Sequence, residues 1–158
     1  MVATYVLSES AVLPVTPEAA YDAVLDAPLE AILGKRVGLV PAITGCTGQD
    51  GRWGTVGQTR TIEMSDGTRA LETLVAADRP TDYRYRISDV RGLMMKPLVA
   101  GIDGRFSFEA SGAGTRVTWS WEMHATNPVT RLLLPALSPF WHRWARRMFT
   151  LLADRVTT

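Results

Sequence analysis

Residues 59–78, TRTIEMSDGTRALETLVAAD, decide the fold. Apolar and polar side chains alternate on both sides of Asp66-Gly67, the pattern of a β-hairpin. Two pairings are open, and they matter because a one-residue slip turns every side chain of a strand to the other face. With a two-residue loop, Asp66-Gly67, Met64 faces Arg69 and Glu63 faces Ala70, and no charge meets its complement. With a three-residue loop, Ser65-Asp66-Gly67, Gly67 takes the left-handed place that closes a type I turn plus bulge; Glu63 then faces Arg69 and Arg60 faces Glu72. A cross-strand pair of opposite charge contributes roughly 0.2 to 1 kcal/mol, so the second register is favoured.

That register puts Arg60, Ile62, Met64, Ala70, Glu72 and Leu74 on one face and Thr59, Thr61, Glu63, Arg69, Leu71 and Thr73 on the other. The first face is the more apolar and is expected to point inward, although Leu71 and Val75 on the second argue the other way. An Arg60–Glu72 pair among Ile, Met and Leu is partly desolvated, which is seldom the cheapest way to stabilise a core. It is read either as a structural or solvated pair or as a pair that contacts a ligand.

Alternation sorts the later strands in the same way. Tyr83, Tyr85 and Ile87 oppose Arg84 and Arg86; Phe106 and Phe108 oppose Arg105, Ser107 and Glu109; Val117, Trp119, Trp121 and Met123 oppose Arg116, Thr118, Ser120 and Glu122. Strand-like runs centre on residues 55–64, 69–77, 83–88, 103–110 and 115–125, and residues 3–15 form another that ends at Pro14. Residues 41–57 are expected to be loop with one short strand. Thr16, Pro17 and Glu18 supply an N-cap, a first-turn Pro and a dipole-favoured acid for a helix that Pro28 stops. A second short helix, Leu29 to Leu33, is expected to end at Gly34. At the C-terminus Ser138 is expected to cap a long helix, with Trp141, Trp144, Ala145, Met148, Leu151 and Leu152 recurring at helical spacing. This order is α+β: an antiparallel sheet curled around one amphipathic helix. The inward aromatic set also suits a cavity wall, since ligand pockets are mostly apolar with a few polar groups.

Composition narrows the function. The chain has 158 residues with 17 basic and 16 acidic side chains, two His, one Cys and a hydrophobic fraction of 46%. Its length suits a single domain, residues 1–158. Cys46 has no partner for an intrachain disulfide and is read as a passive thiol, and neither a metal site nor a cofactor is expected. Near-neutral charge argues against bulk nucleic-acid binding. Residues 128–158 nevertheless carry net +4 and the remainder −3. The basic face of the last helix is read as solvated, with attraction to an anionic membrane surface as the alternative. No apolar run is long enough to span a membrane and no signal segment is evident, so a cytoplasmic protein is expected, as a monomer or homodimer. Gly51, Gly54 and Gly57 do not open a helix and so do not make a phosphate loop. There is no Gly-x-Ser-x-Gly elbow. His124 and His142 both fall on polar faces and are read as solvated.

Several segments together resemble one known family: residues 14–22 (PVTPEAAYD), Trp53 to Arg60 (WGTVGQTR), Asp66-Gly67, Glu72, Asp78-Arg79-Pro80, Tyr83 and Tyr85, Gly114 to Trp119 (GTRVTW), and the long last helix. The chain is similar to the polyketide cyclase/dehydrase branch of the START-like (SRPBCC) superfamily. The resemblance implies a helix-grip fold: a curved seven-stranded antiparallel sheet around the C-terminal helix, two short helices closing one end, and a deep hydrophobic cavity. It implies that Arg60 and Glu72 face this cavity and that loops near Gly45 to Trp53 and Gly92 to Gly101 form its mouth, with Trp53, Met94 and Met95 at the rim. The expected ligand-contacting set is Arg60, Ile62, Met64, Glu72, Leu74, Tyr83, Tyr85, Phe106, Phe108, Trp119, Trp121, Met123, Trp141 and Met148.

Three functions compete on these residues. One is binding or carriage of a hydrophobic small molecule, lipid or polyketide-like, with Arg60 holding a carboxylate or carbonyl and Glu72 orienting Arg60. The second is a cyclase or dehydratase with Glu72 as general base and Tyr83 or Tyr85 as donor to a developing enolate. The third is an interaction or membrane-surface module using the basic last helix.

Overall fold

The computed structural model describes residues 3–158; Met1 and Val2, part of the expected 1–158 domain, lie outside the described residues. Strand β1 (Thr4–Leu13) is followed by helices α1 (Pro17–Asp26) and α2 (Leu29–Ile32). Strands β2 (Ile43–Thr47), β3 (Thr59–Met64), β4 (Arg69–Asp78), β5 (Asp82–Arg91), β6 (Val99–Ser111) and β7 (Gly114–Ala125) come next. A short helix α3 (Pro128–Arg131) and a 3₁₀ turn (Leu134–Leu137) lead into the long helix α4 (Ser138–Thr157). The strands form one seven-stranded sheet in the order β1-β7-β6-β5-β4-β3-β2, with each neighbouring pair antiparallel. This is the helix-grip architecture.

The sheet is a meander from β2 to β7, and only β1 reaches its place by a long connection, through α1 and α2. The capping chemistry at that connection follows the sequence. Thr16 Oγ1 accepts the Ala19 N–H at 3.2 Å, Pro17 occupies the first turn, and the helix stops at Asp26 before Pro28. Helix α2 is one residue shorter than expected, with Leu33 as its C-cap, and Gly34 does not take a left-handed conformation.

The β3–β4 register is the one that pairs the charges: Glu63 lies opposite Arg69 and Arg60 opposite Glu72. Gly67 sits at φ +87°, where only glycine is unstrained, and Met64 exchanges backbone hydrogen bonds with Gly67 and Thr68 to close the three-residue loop. Arg60, Ile62, Ala70, Glu72 and Leu74 are buried as a result.

Helix α4 lays Trp141, Trp144, Ala145, Met148, Phe149 and Leu152 against the concave face. Ser138 does not cap it. The 3₁₀ turn runs directly into the helix, so Ser138 already has helical backbone angles and Leu137 stands at the N-cap with no side-chain bond. Both histidines are half-buried in polar contacts instead of solvated. His124 Nε2 lies 2.7 Å from Asp103 Oδ2, and His142 Nδ1 lies 2.6 Å from Glu9 Oε2 on β1. Each ring still keeps to the outer side of its element; what the sequence does not show is the carboxylate that a neighbouring strand brings to it. Among the described residues no helix is long and apolar enough to cross a membrane.

Candidate functional site

Alternation on β3 to β7 sends one set of side chains to the concave face, and α4 covers the middle of that face. Two small internal spaces remain between them. The larger, about 70 Å³, is bordered by Val40, Ile43, Ile62, Met64, Thr68, Ile87, Met95, Trp121, Met123, Trp141 and Trp144 among others. The smaller, about 50 Å³, is bordered by Arg60, Glu72, Tyr83, Tyr85, Phe106, Trp119, Trp121, Trp144 and Met148 among others. Ile43, Ile62, Ile87, Trp121 and Trp144 border both, so the spaces are neighbours separated by a few side chains. Pockets for drug-sized ligands hold about 300 to 1,000 Å³. The deep cavity implied by the family resemblance is therefore mostly filled, by aromatic rings. Trp119 packs on Phe106, Trp121, Trp141 and Trp144 at centroid distances of 5.4, 5.6, 5.0 and 5.9 Å.

The smaller space has a polar floor. Arg60 and Glu72, 7% and 3% exposed, join through Arg60 Nε and Glu72 Oε1 at 2.5 Å. Arg60 Nη1 donates to Gln49 Oε1 at 3.2 Å, and its guanidinium carbon lies 4.0 Å from the Trp53 ring centroid, a cation–π stack. Trp53 Nε1 donates to the Tyr83 hydroxyl at 2.8 Å. The Tyr85 hydroxyl accepts two indole N–H groups, from Trp119 and from Trp121, each at 2.8 Å. Gly104 makes the room: a Cβ there would stand 2.0 Å from Tyr85 Cζ, so only glycine lets the Tyr85 ring lie flat across β6.

Burial sets the electrostatics. It pushes the Glu72 carboxyl above the usual carboxylate range, and the Arg60 charge only partly opposes it. Burial likewise drives the Tyr83 and Tyr85 hydroxyls well up, with the nearby Glu72 charge adding to it. Cys46, on the outer side of Arg60, is pushed up to about 11 by burial, which leaves it a thiol at neutral pH.

Most of the side chains singled out in the sequence come together here, but some do not. Leu74 and Phe108 border neither space. Both are solid core, Phe108 against Tyr21 of α1 at 5.2 Å. Strand alternation names the inward face but not which part of it lies under the helix. Trp53 is not a rim residue. It is buried because Gln58 staples the 50–55 loop inward, its Oε1 accepting from Gly54 and Thr55 N–H and its Nε2 donating to the Asp50 and Arg52 carbonyls. Met95 borders the larger space, whereas Met94 points to solvent. Outside Trp53 an open groove of about 270 Å³ is bordered by Asp26, Glu30, Cys46, Gln49, Arg52 and Arg60 among others, so Arg60 reaches both inside and outside.

Sequence reasoning missed Gln49, Thr68 and Gly104 as parts of this interior, and it placed Trp144 in the inward aromatic set without counting it among the ligand-contacting residues. Thr68, just ahead of β4, and Gly104 on β6 share the inward parity of those strands, and Trp144 lies one turn from Trp141, so a signal existed for these three. Gln49 sits in an irregular loop and left none. Among the described residues no cluster of His, Cys, Asp or Glu is arranged to hold a metal ion.

The fold and this interior define a class, the helix-grip proteins. A family profile described as polyketide cyclase / dehydrase and lipid transport matches residues 5–157, and the chain belongs to that family. No curated protein matches it in sequence. Solved structures match in fold. Major latex-like protein 151 from Panax ginseng is 17% identical over 99% of both chains with a TM-score of 0.69. Ara h 8.0201 is 19% identical over 98% of both chains, TM-score 0.67. Norcoclaurine synthase from Thalictrum flavum, solved in complex with dopamine and hydroxybenzaldehyde, is 13% identical over 99% of this chain and 88% of its own, TM-score 0.70.

Proposed function

We propose that the protein binds a hydrophobic small molecule between the concave face of the sheet and α4. The observation that carries this is the Arg60–Glu72 pair, buried beside an internal space whose other walls are almost all apolar. A desolvated ion pair rarely repays its cost in stability alone, so its retention there fits a role toward something that enters the space. Entry of a ligand displaces filling side chains, and Met64, Met95 and Met123 around the larger space are the adaptable ones. Family membership and the fold of the solved relatives support the same reading. Native mass spectrometry of the purified protein, with displacement of a fluorescent fatty-acid analogue, is expected to show one molecule taken up and weaker uptake by Arg60→Ala. No uptake by the wild type overturns the proposal.

A second reading, a cyclase or dehydratase, is favoured by one further observation: Glu72 is a buried carboxyl with a raised pKa, between Arg60 and Tyr83. In that reading Glu72 takes a proton from carbon next to a carbonyl, and a tyrosine hydroxyl hydrogen-bonds to the resulting enolate oxygen. The Tyr83 oxygen accepts from Trp53 and its hydroxyl is hydrogen-bonded to Glu72, so in this reading Tyr83 exchanges the carboxyl for the enolate oxygen as its acceptor. Full turnover of a cyclised substrate by Glu72→Gln overturns the assignment.

A further inference from the structure

Several buried polar groups of the interior have no hydrogen-bond partner. Among the described residues, three buried side-chain polar atoms have no partner: Thr68 Oγ1, Trp141 Nε1 and Trp144 Nε1. All three residues border the larger internal space, and Trp144 borders the smaller one too. An indole N–H only donates. Tyr85 adds a fourth donor, because its oxygen already accepts from Trp119 and Trp121 and none of its hydrogen bonds is donated. Glu72 is the charged acceptor in this interior, and Arg60 engages it. Buried donors are nearly always paired, and leaving one unpaired costs about 1 to 3 kcal/mol. Three residues around one small space, each with an unpaired polar atom, are therefore a feature to be explained.

We infer that this space is a subsite for a neutral hydrogen-bond-accepting oxygen, such as a ketone or ester carbonyl, on an otherwise apolar ligand, with Trp141 and Trp144 as its donors. The inference rests on the binding function proposed above and names the ligand class. The oxygen is neutral because no charged side chain borders the larger space, so a carboxylate there would be buried without a counter-charge. The bulk of the ligand is apolar because the remaining walls are Val, Ile, Leu, Met, Ala and Pro side chains and Trp121, whose indole N–H is already engaged by Tyr85.

Three probes of one shape test it: tetralin, 1-tetralone and tetrahydro-1-naphthoate, titrated into the ¹⁵N-labelled wild-type protein and followed by its indole N–H resonances. The ketone is expected to bind about tenfold more tightly than the hydrocarbon, the worth of one or two hydrogen bonds, and more tightly than the carboxylate. Two of the five indole signals are expected to move downfield with tetralone and not with tetralin. In Trp141→Phe and Trp144→Phe the ketone preference is expected to fall toward parity, whereas a mere packing defect would weaken both neutral probes alike. Equal binding of ketone and hydrocarbon, tightest binding of the carboxylate, or a ketone preference untouched in both variants overturns this inference and leaves the binding function standing. Absence of binding by all three probes overturns this inference, and the binding function then stands or falls by the uptake experiment above. The indole shifts are read on the wild type, so the result stands even where a variant fails to fold.

Discussion

Around Arg60 the buried polar side chains engage one another: guanidinium to carboxylate and amide, indole to phenol, phenol to two indoles. One layer away, across Ile62, Ile87 and Trp121, Thr68, Trp141 and Trp144 keep polar atoms with no partner. Both regions lie between the same sheet and the same helix. The first is preorganised, because its groups hold each other in place. The second holds unmet hydrogen-bonding capacity, which only a molecule from outside can use. The difference locates where a ligand gains most: its polar atom at the unpaired donors, with the paired network as a fixed wall beside it.

The largest expected effect comes from breaking the paired region. Arg60→Ala leaves Glu72 buried without its counter-charge and is expected to cost about 3 to 5 kcal/mol in urea unfolding. The double variant Arg60→Met/Glu72→Leu removes the charge altogether and is expected to be as stable as wild type or more so; equal destabilisation in both variants would show the pair to be a structural device. Next, Tyr85→Phe strips the acceptor from two indoles and is expected to cost about 2 to 4 kcal/mol, with the Trp119 and Trp121 indole N–H signals shifting upfield. In the unpaired region the sign reverses. Thr68→Val removes a hydroxyl that has no partner and is expected to raise stability by about 1 kcal/mol, so a loss of similar size would mean that the hydroxyl is satisfied in solution.

The smallest effects are in pH dependence, and they run in opposite directions. The Glu72 carboxyl is raised by burial above its unfolded value, so its contribution is fully present below the unfolded carboxyl pKa and is lost as pH rises through the folded one. Asp103 on the outer face is the reverse. Burial works to raise it, but hydrogen bonds from His124 and Arg86 outweigh this and hold it low. Its contribution is present above the unfolded value and fades as pH falls through the folded one. Asp103→Asn is expected to flatten the acid side of a stability-against-pH curve, and Glu72→Gln the side above it.

Strand faces, the hairpin register and the helix stripe were legible because each is a local periodicity, and the Glu63–Arg69 and Arg60–Glu72 pairs chose the register. Those patterns put Tyr83, Tyr85, Trp119, Trp121 and Trp141 on the inside with no knowledge of neighbours. They could not tell Phe108, which α1 covers, from Phe106, which borders an internal space, because both share one parity. The inward turn of Trp53 depends on Gln58, five residues on, bridging an irregular loop that carries no period. Hydrogen-bond satisfaction is further still from the sequence. Trp119 and Trp144 are the same residue type on facing elements, yet one indole finds the Tyr85 oxygen and the other finds nothing. By itself, then, the sequence determined which side chains go inside and how the central hairpin pairs, since those follow from spacing and charge along the chain. Only the tertiary structure decided which of them touch a space and which donors stay unpaired, since both depend on the position of α4 over the sheet to within a few ångströms.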